Sequence, residues 1–276
     1  MPWRTCGCWT PSAPAPGRVA GFHWPEPRGA TMKKVVVSDN LFEDLEPERE
    51  ALRGVAELVV FGPYPGPGRF LEAARDAEGI ISQMAPLRAE VLDHLERCRV
   101  IVRYGVGVDN IDVEAATRNG ITVCNVPDYC TEDVADHTLT LALALIRKLP
   151  AAIRQLQTGG WGHAIHRPIR RLSALTFGTW GFGRIARSVQ QRAGAFGFRR
   201  IAHDPYVPAS AFAPTGVECV DVETLLAESD LLALHMPLTD GTHHLLNRET
   251  LSRMKPGALV VNTARGGLID SVALQE

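Results

Sequence analysis

The sequence predicts an α/β fold with two domains, each a doubly wound parallel sheet covered by helices, the second of them incomplete. Three observations support this prediction. Short apolar runs alternate with amphipathic segments from Met32 to the end of the chain. Most of these runs are apolar without interruption, which is typical of strands buried on both faces of a parallel sheet. The length of 276 residues indicates two domains rather than one.

The first domain is predicted to cover residues 32–130 and to alternate strands with helices. Its expected strands are residues 35–37, 57–61, 79–82, 99–103 and 121–124. Its expected helices are residues 46–52, 69–77, 88–97 and 113–119. A strand that follows each helix in this way favours parallel pairing, because the helix carries the chain back across the sheet.

The second domain is predicted to cover residues 131–276. A long helix is expected over residues 132–148, followed by a basic connection over residues 150–172. The expected strands are residues 175–180, 198–203, 217–220, 231–234 and 258–262. The sequence stops in a helix that starts near Ser271, so this domain is expected to be truncated.

Residues 1–31 differ in composition from the rest of the chain. They hold six prolines, four glycines and three of the five tryptophans, without periodicity. No basic segment precedes an apolar one, so a secretory signal is not expected. We interpret this stretch as a disordered tail or a spurious N-terminal extension, with Met32 as the natural start of the first domain.

Composition and charge argue against several classes of function. The net charge of −2 and the 45% hydrophobic content are ordinary for a globular protein and do not indicate nucleic-acid binding. No apolar run approaches the roughly 20 residues of a membrane span. The six cysteines lack Cys-x-x-Cys and zinc-ligand spacing, which favours free thiols in a reducing cytoplasm and no metal site. Cys124 and Cys219 are expected to be core residues.

A glycine turn between a strand and a helix is the strongest functional motif. Residues 181–186 read Gly-Phe-Gly-Arg-Ile-Ala and fit the pattern G-x-G-x-x-G/A. The first glycine allows a tight turn, and the second lets the backbone approach a pyrophosphate at the helix N-terminus. Asp204 lies 21 residues after Gly183, close to the roughly 20 expected for the acid that binds a ribose hydroxyl. This pattern predicts a dinucleotide site, and an ordinary strand–helix–strand unit is the alternative.

Several further segments carry a resemblance to one known family. They are residues 104–112, 125–127 with 133–137, 235–239, 254–258 and 262–266. Together they resemble the D-2-hydroxyacid dehydrogenases, over about residues 33–276. Residues 128–130 and 170–173 are most similar to the branch of the C-terminal binding proteins, and phosphoglycerate dehydrogenase is a close neighbour.

The resemblance implies a flavodoxin-like substrate domain, a Rossmann NAD-binding domain, and hydride transfer between NAD and a 2-oxo or 2-hydroxy acid. Asp204 is followed by Pro205 and Tyr206 rather than by arginine, so NAD is expected in preference to NADP. The residues expected to bind the cofactor are Gly181, Phe182, Gly183, Arg184, Ile185, Asp204, Pro205, His235, Met236, Pro237, Thr242, Thr263 and Ala264.

The resemblance also implies a substrate site. Arg265 matches the catalytic arginine, whose planar guanidinium can bind a carboxylate through two parallel hydrogen bonds. The alternative is that Arg265 is a surface ion-pair partner. Gly105 and Gly107 are expected to let backbone N–H groups face the substrate carboxylate; the alternative is two glycines that serve only the turn. Met84 is expected to line the same pocket. These substrate-binding candidates are Met84, Gly105, Val106, Gly107 and Arg265.

The resemblance also implies an acid/base pair, a glutamate roughly 30 residues after the arginine and a later histidine. The sequence ends 11 residues after Arg265, so neither is expected within it. We therefore expect this chain to be inactive as it stands and to be a fragment of an enzyme. The alternative is a non-catalytic NAD-binding sensor or scaffold. The helix from Glu132 and the connection to Leu172 resemble the family's dimer arm, so a homodimer is expected for the full-length protein.

Overall fold

The computed structural model describes residues 32–162 and 168–276, so the predicted N-terminal tail lies outside the described residues. The chain divides into two compact units, Met1–Pro127 and Asp128–Glu276. The sequence analysis placed the boundary between residues 130 and 131, which is three residues later. The assignment of substrate binding to the first unit and NAD binding to the second stays a prediction.

The N-terminal unit has a five-stranded parallel sheet. Its strands are β1 (Lys33–Val37), β2 (Ala56–Val60), β3 (Gly79–Ser82), β4 (Val100–Arg103) and β5 (Thr122–Asn125). The helices are α1 (Glu46–Leu52), α2 (Pro67–Ala74), α3 (Ala89–Leu92) and α4 (Val113–Arg118). The strand order is β2-β1-β3-β4-β5, which is the flavodoxin-like order.

The apolar core of this unit lies between the sheet and its helices. Its largest members have almost no exposed surface: Phe70, Ile80, Leu87, Leu92 and Ile101. The expected helix over residues 88–97 was too long, because α3 ends at Leu92. The N–H of Glu96 instead donates to the Arg75 carbonyl at 2.9 Å, which draws the chain out of the helix toward the end of α2.

The C-terminal unit contains a second five-stranded parallel sheet. Its strands are β6 (Thr176–Trp180), β7 (Arg199–His203), β8 (Glu218–Cys219), β9 (Leu231–Leu234) and β10 (Leu259–Asn262). Its helices are α5 (Thr131–Ile146), α6 (Leu149–Gln157), α7 (Arg184–Ala195), α8 (Val222–Glu228), α9 (Arg248–Ser252) and α10 (Ser271–Gln275). The order β10-β9-β6-β7-β8 reverses at β6, as in the classical dinucleotide-binding fold.

Two sequence-based expectations for this unit were wrong. The predicted connection over residues 150–172 begins as helix α6, after Lys148 adopts a left-handed φ of 54°. Pro150 is tolerated there because it lies in the first turn, where its missing N–H would have had no helical partner. Cys219, expected in the core, is exposed on the short strand β8, which pairs with β7 alone.

Across the described ranges, no helix combines the length and apolar character needed to cross a bilayer. The same ranges contain no group of three or more His, Cys, Asp or Glu side chains that could hold a metal ion.

Candidate functional site

The glycine turn lies where the strand order of the C-terminal sheet reverses. Strand β6 has β7 on one side and β9 on the other, and open α/β sheets bind ligands beyond the carboxyl ends of such strands. Gly181 has a φ of 100°, and its N–H donates to the His203 carbonyl at 2.8 Å. A Cβ at Gly181 would lie 2.4 Å from the His235 carbonyl oxygen. Glycine is therefore required at position 181, where the chain turns after β6 between the ends of β7 and β9.

The second glycine faces open space at the start of α7. Gly183 is the N-cap of this 12-residue helix, and no side chain caps its backbone. A Cβ at Gly183 would meet no atom within 4 Å. Arg184 is also exposed, whereas Ile185 packs partly against the core. An uncapped helix N-terminus beside open space is an arrangement that suits a pyrophosphate.

Asp204 follows β7 and is bonded to the glycine turn. Its Oδ2 accepts the N–H of Phe182 at 2.8 Å, and its Oδ1 accepts the N–H of Tyr206 at 2.9 Å. The Phe182 side chain is fully buried and stacks on Phe212, with 4.0 Å between ring centroids. Phe182 thus contributes its backbone to the turn and its ring to the core. Pro205 and Tyr206 are exposed beyond Asp204.

His235 directly follows β9, beside the glycine turn. Its Nε2 is buried and has no hydrogen-bond partner among the residues that the structure describes. Burial lowers the pKa of His235 to about 4, so the imidazole is neutral near pH 7. A neutral ring with an unpaired polar atom can receive a ligand hydrogen bond but is not suited to donate a proton in catalysis.

The segment after His235 is held by Thr242. The Thr242 Oγ1 donates to the Pro237 carbonyl at 2.7 Å and accepts the N–H of Thr239 at 2.8 Å. Met236 packs against the apolar core, whereas Pro237 is exposed. The Thr242 side chain therefore shapes this loop.

The turn after β10 places Arg265. The Asn262 side chain accepts the N–H of Ala264 at 3.0 Å and donates to the Arg265 carbonyl at 2.8 Å. Thr263 bonds to the buried Thr138 of α5, with 2.9 Å between their Oγ1 atoms. Arg265 is half-buried. The sequence analysis placed Asn262 in the motif of residues 262–266 but gave it no role of its own, although an Asn that ends a strand is a common turn former.

The substrate-binding candidates of the N-terminal unit lie beyond β3 and β4. Gly105 has a φ of 141°, and a Cβ there would lie 1.7 Å from Nη1 of Arg103. The Asn125 side chain donates to the Val106 carbonyl at 2.7 Å. Within the described ranges, the N–H groups of Val106 and Gly107 have no acceptor. Met84 is 62% exposed at the neighbouring strand end.

Each unit therefore brings its own candidates together. The C-terminal unit gathers the glycine turn, Asp204, the loop after His235 and the turn of Arg265 at the carboxyl edge of its sheet. The N-terminal unit gathers Met84 with residues 105–107 at the corresponding edge. The sequence analysis also missed Asp39, which lies two residues after β1.

Comparisons with known proteins match both units. Residues 139–276 match the NAD-binding domain of the D-isomer specific 2-hydroxyacid dehydrogenases. D-3-phosphoglycerate dehydrogenase of Methanocaldococcus jannaschii is 41% identical over 247 residues, which are 89% of this chain and 46% of that protein. Hydroxypyruvate reductase of Thermotoga maritima is 40% identical over 197 residues, covering 71% of this chain and 63% of that one.

A solved structure agrees with these sequence matches. D-lactate dehydrogenase from Aquifex aeolicus, complexed with NAD and lactic acid, matches with a TM-score of 0.81 and 31% identity. The match covers 88% of this chain and 72% of that one. The chain spans about half the length of the phosphoglycerate dehydrogenases that it matches. On the family match and this structural likeness, the cofactor is NAD, and the chain belongs to the D-isomer specific 2-hydroxyacid dehydrogenases.

Proposed function

We propose that the protein transfers hydride between NAD(H) and a small 2-oxo or 2-hydroxy acid. The observation that carries this proposal is the glycine turn at the strand-order reversal, where Gly183 faces open space and Asp204 closes the turn. Bound NAD supplies the hydride acceptor, and its reduced form supplies the hydride. The chain's own residues bind both partners and orient them.

In this proposal the C-terminal unit binds the cofactor through four elements. The N–H groups at the start of α7 bind the pyrophosphate, and Asp204 accepts a ribose hydroxyl. The loop from His235 to Thr242 and the backbone at Thr263 and Ala264 line the rest of the site. A carboxylate at the ribose position disfavours the 2′-phosphate of NADP by charge repulsion, so NAD is preferred.

Arg265 is the proposed catalytic residue. Its guanidinium binds the carboxylate and keto oxygen of the acid, because two parallel N–H groups match those oxygens. Within the N-terminal unit, we propose that the N–H groups of Val106 and Gly107 donate to a substrate carboxylate and that Met84 adds an apolar surface. We assign the acid/base role to no residue of this chain, so we propose that binding is retained and turnover is slow.

A non-catalytic NAD sensor is the second candidate. The buried Nε2 of His235, which has no hydrogen-bond partner among the described residues, is compatible with it, because this atom can receive a hydrogen bond from a bound ligand without any chemical step. The two candidates share NADH binding and differ in turnover and in affinity for a 2-oxo acid.

We further propose a cytoplasmic homodimer. Five apolar side chains of α5 and α6 are exposed, two on the first helix and three on the second: Leu141, Leu145, Leu149, Ile153 and Leu156. We call these five residues the apolar row. Exposed apolar surfaces of this kind commonly mark protein interfaces.

Titration of the purified chain tests the proposed function. NADH should bind more tightly than NADPH, and oxamate, an unreactive 2-oxo acid analogue, should bind in the presence of NADH. Arg265→Gln should weaken oxamate binding by about 10–100-fold, the effect of losing a charged bidentate partner. NADH affinity should change by less than about 2-fold.

Arg253→Gln is the matched control, because Arg253 forms exposed ion pairs with Glu223 and Glu249. It should leave both affinities unchanged. A chain that binds neither nucleotide would refute the proposed function. Oxidation of NADH by glyoxylate, pyruvate or hydroxypyruvate separates an enzyme from a sensor.

A further inference from the structure

A buried carboxylate lies at the strand-order reversal of the N-terminal sheet. Asp39 follows β1, residues 83–85 follow β3, and these two strands are neighbours. The connections to β2 and to β3 run to opposite sides of β1. This is the position in an open α/β sheet where ligands bind.

Four donors surround Asp39, which is only 6% exposed. Its Oδ1 accepts the N–H of Gln83 at 2.9 Å, and its Oδ2 accepts those of Met84 at 2.6 Å and Ala85 at 3.1 Å. The hydroxyl of Ser38 donates to Oδ1 at 2.7 Å. Hydrogen bonds to a carboxylate are stronger than neutral ones, and a buried charge needs such partners.

Arg103 holds the same segment from the side of β4. Its Nε donates to the Gln83 carbonyl at 3.0 Å, and its Nη2 lies 3.5 Å from the Met84 sulfur. The Gln83 side chain in turn accepts the N–H of Leu41 at 2.9 Å. Residues 83–85 are thus fixed on both sides while the Met84 side chain stays largely exposed.

We propose that Asp39 is the positioning residue of the substrate site in this unit, an inference that rests on the proposed function. Asp39 does not touch the substrate. It occupies the three N–H groups of residues 83–85 and sets the direction of Met84. The substrate carboxylate is then left to the N–H groups of Val106 and Gly107, which have no acceptor in the described part of the chain.

Amide hydrogen exchange and oxamate titration of the full chain test this proposal. In the unsubstituted protein, the amides of Gln83, Met84 and Ala85 should exchange at least about 10-fold more slowly than those of Val106 and Gly107. Asp39→Asn replaces one acceptor with a donor, so it should speed exchange at residues 83–85 and weaken oxamate binding, each by about 10-fold or more. Asp39→Glu should recover part of both losses.

Asp112→Asn is the matched control, since Asp112 caps α4 by accepting the N–H of Ala115 at 2.9 Å. It should lower stability without changing oxamate affinity. NADH affinity should stay within about 2-fold in every variant.

The exchange measurement on the unsubstituted chain decides the proposal even if Asp39→Asn does not fold. Rapid exchange at residues 83–85 would overturn it, as would an Asp39→Asn variant that binds oxamate normally. If the unsubstituted chain binds NADH but no oxamate, the substrate part of the proposed function fails, and the role of Asp39 fails with it. Normal oxamate binding by Asp39→Asn leaves the proposed function intact and rejects only this inference.

Discussion

The Asp204 carboxylate accepts the N–H of Phe182 at 2.8 Å, so the end of β7 and the glycine turn after β6 form one hydrogen-bonded unit. Asp204 therefore has two tasks in the proposed cofactor site. Its Oδ2 restrains the turn that leads into α7, while the same carboxylate is placed to accept a ribose hydroxyl. Loss of this side chain should thus affect both the shape of the turn and the affinity for NADH.

Asp204→Ala is expected to weaken NADH binding by about 10–100-fold, because one charged acceptor and one restraint of the turn are removed together. Asp204→Asn keeps an oxygen for the Phe182 N–H and should lose less affinity. The preference for NADH over NADPH should fall in both variants, because the repelling charge is gone. Fluorescence titration with each nucleotide measures these changes.

Asp221→Asn is the control for Asp204. Asp221 caps α8 by accepting the N–H of Thr224 at 2.7 Å, so its substitution should reduce stability alone. Unchanged NADH and NADPH affinities in Asp204→Ala would show that Asp204 is not part of the cofactor site.

The two glycines of the turn should respond in opposite ways to alanine. Gly181→Ala should lower the free energy of unfolding by about 2–4 kcal/mol, because it combines a positive φ with a contact against the His235 backbone. Gly183→Ala should leave stability nearly unchanged, since its added Cβ meets open space. The same Cβ should nevertheless weaken NADH binding, because it occupies the approach of the pyrophosphate.

Urea denaturation and NADH titration of this pair provide the measurements. Each glycine serves as the control for the other. Equal stability losses in both variants, or full NADH affinity in Gly183→Ala, would contradict the proposed phosphate position.

Asp230 should make the stability of the C-terminal unit depend on pH. Burial alone would raise the pKa of this carboxyl, but the Thr176 N–H, Arg170 and Lys255 outweigh burial and lower it. The bonds to Thr176 and Lys255 span 2.8 and 3.2 Å. Because the pKa is lower in the folded state, the stabilisation is complete above the unfolded pKa of about 3.9. It is lost as the pH falls through the folded pKa.

Asp230→Asn should therefore destabilise the protein by about 1–3 kcal/mol at pH 7. The difference from the unsubstituted protein should shrink as the pH falls below about 4, where Asp230 takes up a proton first in the unfolded state and, at a lower pH, in the folded state as well. Urea denaturation at pH 7 and at acidic pH measures it. A difference that stays constant over this range would show that charge is not the cause.

The apolar row on α5 and α6 should control assembly. The double substitution Leu149→Glu and Ile153→Glu places two charges in the centre of the proposed interface. We expect it to convert a dimer into a monomer in sedimentation equilibrium while the circular dichroism spectrum is retained. Arg154→Glu, on the same helix and also exposed, is the control. A monomeric unsubstituted protein would contradict the proposed homodimer for this chain.

Local patterns predicted most of the elements. The bounds of α1, β3 and β9 agree with the structure, and other elements differ by a few residues at their ends. The apolar runs that form the strands are separated from one another by polar turns. This pattern can be recognised in the sequence without tertiary information. Helix α6 was missed because residues 150–172 were interpreted as a basic connection, whereas Pro150 in a first turn is compatible with a helix.

Other features depended on contacts between distant residues. Asp39 meets amides 44 to 46 positions away, and Thr138 meets Thr263 across 125 positions. Nothing local to Asp39 indicates that its carboxylate would be buried and bonded to another strand's loop. Phe182 likewise belongs to the cofactor motif by sequence, yet its ring is buried in the core against Phe212.

The sequence by itself determined the α/β fold class and the position of the dinucleotide motif. Both depend on properties of short segments: the periodicity of strands and helices, and the spacing from Gly183 to Asp204. Only the tertiary structure decided which side chains meet at the strand ends. The order of strands brings Gly181 against His235 and Asp39 against residues 83–85. Burial and hydrogen bonding then set whether each group is neutral, charged or already occupied, and these depend on neighbours that the chain supplies from far away.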